Sequence, residues 1–256
     1  MIIYSWNMLY RNEELERAFH FISSLEFDLF CLQEVPESFV PRLLALPYFS
    51  SSNLDTEKVS DGVPMRMYHV ILSKFPIKNK GEVTYTDRWT LLPFRTRAFV
   101  ALMKPFHFSK VTSRGGMYID IDVLGEKTRV FSLHLALAYP KQRFLEFKEA
   151  MAHYDDTAHQ IICGDFNIVE FPHVTLLNWL LGGPVLDALL FKRERHHVEK
   201  MFNAHGFQNP LVGHITHPFS QSQLDHILVP HTFSPKSVAV LSDRFGSDHA
   251  IVRVEV

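Results

Sequence analysis

Cysteine is scarce in this chain. Cys31 and Cys163 are the only two in 256 residues, each inside an apolar run, where a free cysteine behaves as a small hydrophobe. Two such residues exclude a disulfide framework and a thiolate-built zinc site. Long apolar runs are also missing, and nothing approaches the roughly 20 consecutive residues of a membrane-spanning helix. The start, Met1-Ile2-Ile3-Tyr4-Ser5-Trp6-Asn7, is too briefly apolar for a secretory signal and has no basic residue. Charge of one sign is not in excess. The formal net charge is -2, which gives no electrostatic case for nucleic acid but leaves room for a local basic patch. No Pro/Gly/Ser-rich linker, charge block or short repeat divides the chain. With 46% hydrophobic and 21% charged residues, these absences predict a soluble, cytoplasmic protein, one domain over 1–256, without a transmembrane segment.

The most informative stretch that is present is Ile161-Ile162-Cys163-Gly164-Asp165-Phe166-Asn167. A short apolar run, read as a buried strand, ends on a glycine. A carboxylate and a carboxamide then follow at i and i+2, on one side of an extended chain. Gly164 leaves room for a close approach to the backbone. Gly, Asp and Asn are also turn residues, so the stretch gains meaning from the rest of the chain.

Residues 1–6 read as a strand ending at Asn7, residues 12–25 as a helix, 27–35 as a strand ending at Gln33-Glu34, and 39–46 as a short helix. Residues 50–64 are polar and predict a loop before a strand over 68–72. Short strands are then expected over 82–86, 97–104, 117–124 and 128–135, separated by turns at Arg114-Gly115-Gly116 and Gly125-Glu126-Lys127. Helices are predicted over 140–153, 173–181 and 193–205, and strands over 224–229, 238–241 and 250–256. Strand–helix alternation in both halves predicts an α/β fold of two packed mixed β-sheets flanked by helices, a four-layer sandwich.

Polar residues recur at the strand ends: Asn7, Glu34, His134, Asp165, Asn167, Asp225, His226, Asp248 and His249. Gathered at one rim they would form a site. Carboxylate and amide oxygens favour Mg2+ or Mn2+ over softer metals, and such cations commonly work on phosphate oxygens. Taken singly, each residue has an ordinary structural explanation, such as a solvated strand end, a hydrogen-bonded core histidine or a turn cap.

Six motifs stand in order: Trp6-Asn7, Leu32-Gln33-Glu34-Val35, Ser132-Leu133-His134-Leu135, Gly164-Asp165-Phe166-Asn167, Leu224-Asp225-His226-Ile227 and Ser247-Asp248-His249. Together they resemble the endonuclease/exonuclease/phosphatase superfamily of metal-dependent phosphoesterases. That group includes abasic-site endonucleases, neutral sphingomyelinases and inositol-polyphosphate 5-phosphatases. The resemblance implies that Glu34 binds Mg2+ (or Mn2+), with Asn7 beside it and Asp248 as a second metal-side carboxylate. It further implies that Asp165 orients or deprotonates the attacking water and Asn167 donates to the phosphate. His249, held by Asp225, would sit at the scissile phosphate, and His134 would be a further phosphate contact. The implied substrate is a phosphodiester, in nucleic acid, a small molecule or a lipid headgroup. The alternative is a catalytically silent binding or scaffold member of the same fold.

Between these motifs the basic residues Arg88, Arg95 and Arg97 cluster, and Arg97 is the candidate substrate-phosphate contact, against the reading of an ordinary surface cluster. No residue matches the tyrosine that abasic-site enzymes use. The scattered histidines His196, His197, His205, His214 and His217 lack metal-ligand spacing and read as surface. Trp89, Phe94, Phe106 and Phe108 read either as core or as an exposed grip for a base or a headgroup.

Overall fold

In the computed structural model the described residues are 1–60, 63–103, 110–170, 174–186 and 192–256. The first limb of the fold comprises strand β1 (Ile2–Asn7), helix α1 (Leu15–Ser24), β2 (Leu29–Pro36), α2 (Val40–Leu44), β3 (Phe49–Ser60) and β4 (Val63–Ser73). The second comprises β5 (Ile77–Thr84), α3 (Phe94–Leu102), β6 (Lys110–Val123), β7 (Glu126–His134), α4 (Pro140–Met151) and β8 (His159–Asp165). Helices α5 (Thr175–Leu180) and α6 (Arg193–Ala204) follow, then β9 (Phe207–Gln208), β10 (Asp225–Pro230), β11 (Ser237–Val240) and β12 (Val252–Glu255).

The strands follow one hydrogen-bonded path, β11-β12-β1-β2-β4-β3-β6-β7-β8-β10-β9, with β5 paired beside β6. Two separate sheets were the expectation from sequence. Instead β3 joins β6 at Thr56↔Arg114 and Glu57↔Ser113, making one large mixed sheet. The sheet curls so that its limbs share a core. Ile3, Leu29 and Cys31 lie in the same buried cluster as Ile119, Val130, Ile161, Cys163 and Ile227. Alternate side chains point outward. On the first limb these cover Ala18 and Ile22 of α1, and on the second Phe147 of α4 and Phe202 of α6.

Two pairs are parallel, β1 with β2 and β7 with β8, each joined through a helix. Both run out in polar residues: Asn7 faces Gln33 in the first register and His134 faces Asp165 in the second. Parallel pairing thus carries four polar side chains to strand ends, as Asp225↔Asp165 does in the antiparallel β8–β10 pair. Gly164 is close-approached, as expected, but by the neighbouring strand. A Cβ there would sit 1.8 Å from the Leu133 carbonyl oxygen, and φ is +145°.

Three further sequence expectations give way. Of the loop expected over 50–64, residues 50–60 belong to β3 and 63–64 start β4, a ladder whose exposed positions tolerate polar side chains, while 61 and 62 lie outside the described residues. The strand expected over 97–104 is not found at residues 97–102. Phe94–Leu102 is helical, and Lys104, Phe106 and Phe108 lie outside the described residues. A short apolar run fits either structure by periodicity alone. Arg114-Gly115-Gly116 is no turn but part of β6, where an added Cβ on Gly115 would meet the Val83 and Leu54 carbonyls at 3.0 and 3.1 Å. The helix expected over 173–181 is α5, with His173 outside the described residues. No helix among the described residues is long and apolar enough to cross a membrane.

Candidate active site

The polar strand ends converge on a cleft of about 740 Å3. Asp165 stands at its centre. Its Oδ1 accepts the Asn167 backbone N–H at 2.8 Å, an Asx turn that also explains the positive φ of Asn167, +53°. Its Oδ2 accepts the Asn7 amide N–H at 3.1 Å and lies 3.7 Å from Nε2 of both His134 and His249. Burial raises the pKa of Asp165; His249 acts against that shift, and Asp225 adds to it.

Each histidine is held from behind by a buried aspartate. His249 Nδ1 donates to Asp225 Oδ2 at 2.9 Å, and the same oxygen accepts the Thr216 hydroxyl at 2.7 Å. His134 Nδ1 lies 2.9 and 3.1 Å from the two oxygens of Asp55, which also accept the Thr56 hydroxyl and the Glu34 backbone N–H. Burial works against charge on both rings. The neighbouring carboxylates win, raising His249 to about 10 and His134 to about 9. Burial alone would raise Asp55, but His134 and His69 hold it well below the usual carboxylate range. With Nδ1 protonated on each ring and bound to a carboxylate, Nε2 is left facing the cleft.

Glu34 reaches the same cleft through a backbone irregularity. The β2–β4 register shifts between Leu32 and Val35, and Glu34 takes φ +51°. A bulge of this kind re-aims a side chain at a cost on the order of 1–3 kcal/mol. Here the Asp55 bond to the Glu34 N–H offsets it. Among the described residues the Glu34 carboxylate accepts two long bonds, 3.4 Å from Asn7 Nδ2 and 3.3 Å from the Tyr10 N–H. Asn7 thus presents N–H groups to two carboxylates, while its oxygen accepts the Leu9 N–H at 3.0 Å. Glu34 and Asp165 share that amide, and a carboxylate as loosely bonded as Glu34, 3.8 Å from His134 Nε2, suits a hard divalent cation.

Asp248 lies on the other flank, half exposed, 3.6 Å from His217 Nε2 and 4.0 Å from His249 Nε2. Burial would raise its pKa, yet the bond to His217 and the nearby His249 lower it. Ligand atoms of His217, Asp248 and His249 lie close enough together to hold an ion. The same is true of Asp165, Asp225 and His249, but there the His249–Asp225 hydrogen bond already occupies the imidazole Nδ1.

All of the predicted site residues except Arg97 line or directly buttress this cleft. Asn167 lines it with part of its amide committed to the Leu135 carbonyl at 2.9 Å. Asp225 lies behind His249. Arg97 is exposed on α3 and is not among the lining residues. Arg88 and Arg95 are turned elsewhere, to Glu149 and to the Trp179 and Gly183 carbonyls. His226 faces away from the cleft. Its ring centroid lies 4.7 Å from that of Phe166, the rings tilted 49° to each other, and it accepts from Arg195 at 2.6 Å, so burial and the guanidinium push its pKa well down. Sequence reasoning missed Asp55, His217 and Arg114. For Asp55 the available signal was the Leu54-Asp55-Thr56 step inside the presumed loop.

The sequence of the chain matches the model of the Endonuclease/Exonuclease/phosphatase family over residues 4–249. A comparison with curated proteins finds no match. Among solved structures, an endonuclease/exonuclease/phosphatase family protein from Leptotrichia buccalis C-1013-b aligns at TM-score 0.67 and 14% identity, covering 100% of this chain and 98% of that one. A mannosyl-6-phosphatase from Bacteroides thetaiotaomicron VPI-5482 aligns at 0.58 and 18% identity, covering 100% and 98%. TDP2 from D. rerio, complexed with a single-strand DNA product, aligns at 0.60 and 15% identity, covering 99% and 97%.

Proposed function

Because the chain belongs to the endonuclease/exonuclease/phosphatase family, we propose that the cleft hydrolyses a phosphodiester by direct attack of water, within one catalytic unit spanning 1–256. The observation that carries this reading is the central Asp165 carboxylate, 3.7 Å from two imidazoles that are each held protonated by a buried aspartate. Asp165, made more basic by burial, accepts the proton of the attacking water. The water oxygen bonds to phosphorus, the ester P–O bond breaks, and the leaving oxygen departs as the alcohol by taking a proton from an imidazolium Nε2–H, which the Asp165 proton restores. His249 and His134 present Nε2–H donors to phosphate oxygens as negative charge builds, with Asn167 at the same rim. Asp225 and Asp55 fix the ring tautomers and favour the imidazolium forms. Glu34 is the residue proposed to hold Mg2+ or Mn2+, with Asn7 beside it and Asp248 on the opposite flank. When bound, the ion supplies Lewis-acid stabilisation of phosphate charge. The curled sheet with helices on both outer faces is read as the four-layer arrangement expected from the sequence.

The same fold serves a mannosyl-6-phosphatase and a protein solved with a DNA product, so nucleic acid, small-molecule and lipid-headgroup esters all belong in the first assay. The test is turnover of bis(4-nitrophenyl) phosphate, plasmid DNA and a phospholipid, with Mg2+ and with EDTA. Metal-dependent hydrolysis is expected, and Glu34→Gln should raise the Mg2+ needed for half-maximal rate at least about tenfold. Hydrolysis unaffected by EDTA, or an unchanged Mg2+ requirement in Glu34→Gln, overturns the metal assignment. Mg2+ binding without turnover of any ester would identify the silent binding member instead.

A further inference from the structure

Among the described residues, the arginine and lysine side chains lining the cleft are Arg11, Lys58 and Arg114. Arg114 is already engaged. It donates to Glu146 and to the His134 carbonyl, and it lies over the Tyr85 ring. Arg11 and Lys58 differ from it. They sit over one ring, that of Tyr10, with the Arg11 guanidinium carbon 5.1 Å and the Lys58 nitrogen 4.6 Å from its centroid. Neither has a carboxylate partner among the described residues. Two like charges gathered on one aromatic ring attract a counter-ion more strongly than either alone. The ring is anchored to the reacting centre, because the Tyr10 backbone N–H donates to Glu34 Oε2 at 3.3 Å. β3 presents Lys58 two residues beyond Thr56, and the turn after β1 presents Arg11. The wall built by α3, α5 and the segment before them is of another kind: Trp89, Leu92, Val100, Leu177 and Leu181 make it apolar.

We propose that Arg11 and Lys58, clasping Tyr10, form a second anion subsite beside the Glu34 end of the cleft, and that the substrate carries a second phosphate or carboxylate there. The proposal rests on the phosphoester reading of the same cleft. It narrows the substrate to a compact ester with one extra anionic group toward Tyr10 and a less polar portion toward Trp89 and Leu177. A long polyanion tracking across the protein fits less well, because among the described residues the opposite wall lines the cleft with no cation.

The experiment is calorimetric binding of non-hydrolysable alkane bisphosphonates of increasing chain length, against propylphosphonate, to the full chain with Mg2+ present. At least one bisphosphonate is expected to bind about tenfold more tightly than the monophosphonate, the gain of an added charge-assisted contact at a partly exposed site. That preference should shrink with added salt. It should vanish in Arg11→Ala/Lys58→Ala and persist in Arg11→Lys/Lys58→Arg, with thermal melting confirming that both variants fold. Equal affinity for mono- and bisphosphonates across the series, or a preference that survives the double alanine change, overturns the subsite. Failure of the hydrolase reading looks different: the preference persists while no ester is turned over.

Discussion

The two histidine–aspartate pairs that face Asp165 do the same chemical job with different support. His249 relies on Asp225, whose Oδ2 has the imidazole and the Thr216 hydroxyl as partners while Oδ1 is buried without one among the described residues. His134 relies on Asp55, whose oxygens also take the Thr56 hydroxyl and the Glu34 N–H. Beneath Asp55 lies His69. Burial lowers its pKa while Asp55 acts against that shift, and its ring bridges the Gly115 carbonyl and the Ser132 hydroxyl. One aspartate is thus dedicated to its histidine. The other also fixes the bulge that aims Glu34, so the electrostatics of the first limb and its backbone geometry share a single carboxylate.

The largest effect should come from removing what the pairs share. Asp165→Asn is expected to lower turnover by about 10²–10⁴-fold, the usual contribution of a positioned base, while melting near the wild-type temperature. Activity within a few-fold of wild type would remove Asp165 from the role of base. Next in size is the response to pH. Both histidines have folded pKa values raised above the ordinary 6.5, to about 9 and about 10. Their contribution to stability is therefore complete below about pH 6.5 and is lost as pH rises through those values. Asp55, held low, acts in the opposite sense, and its contribution is lost only as pH falls below the ordinary carboxylate range. Imidazole NMR titrations should show His249 returning toward its ordinary value in Asp225→Asn while His134 stays high, and the reverse in Asp55→Asn. A shift of both rings in either variant would mean that the pairs act as one unit. The smallest effect is expected at Arg97, which stands outside the cleft. Arg97→Ala should change turnover by less than about twofold and stability by no more than about 0.5 kcal/mol. A loss confined to turnover would bring that helix back into substrate contact.

What the sequence made legible follows from how each strand is buried. β1, β2 and β8 are largely apolar runs that close on polar residues and β10 is one that opens on them, so Asn7, Glu34, Asp165 and Asp225 stood out against their runs. β3 is not built that way. Its run from Ser50 to Lys58 is mostly polar and its register shifts between Leu54 and Thr56, so it resembles a loop, and Asp55 stayed hidden although it is fully buried. Helix α3 failed for a complementary reason. Phe94 and Leu102 are 80% and 75% exposed, so its apolar residues do not form one stripe, and nothing in the pattern favours helix over strand. The pairing of His134 with Asp55 joins residues 79 positions apart, which only the closure of β3 onto β6 brings together.

That closure has a counterpart at the other end of the chain. The Ser247 hydroxyl donates to the Asn7 carbonyl at 2.7 Å across 240 residues, and Ala250 N–H donates to the Thr216 carbonyl. The segment carrying Asp248 and His249 is therefore seated by the first strand and by the loop that supports Asp225. On a ribosome, the residues that fold against Asn7 are made last among those of the site. A growing chain holds its loosely bound carboxylates before it holds His249, and the cleft gains its second imidazole only when its two ends meet. The onset of activity during synthesis would then report the meeting of the ends, and a cut anywhere between Asn7 and His249 would have to be healed by reassociation of the pieces before turnover returned.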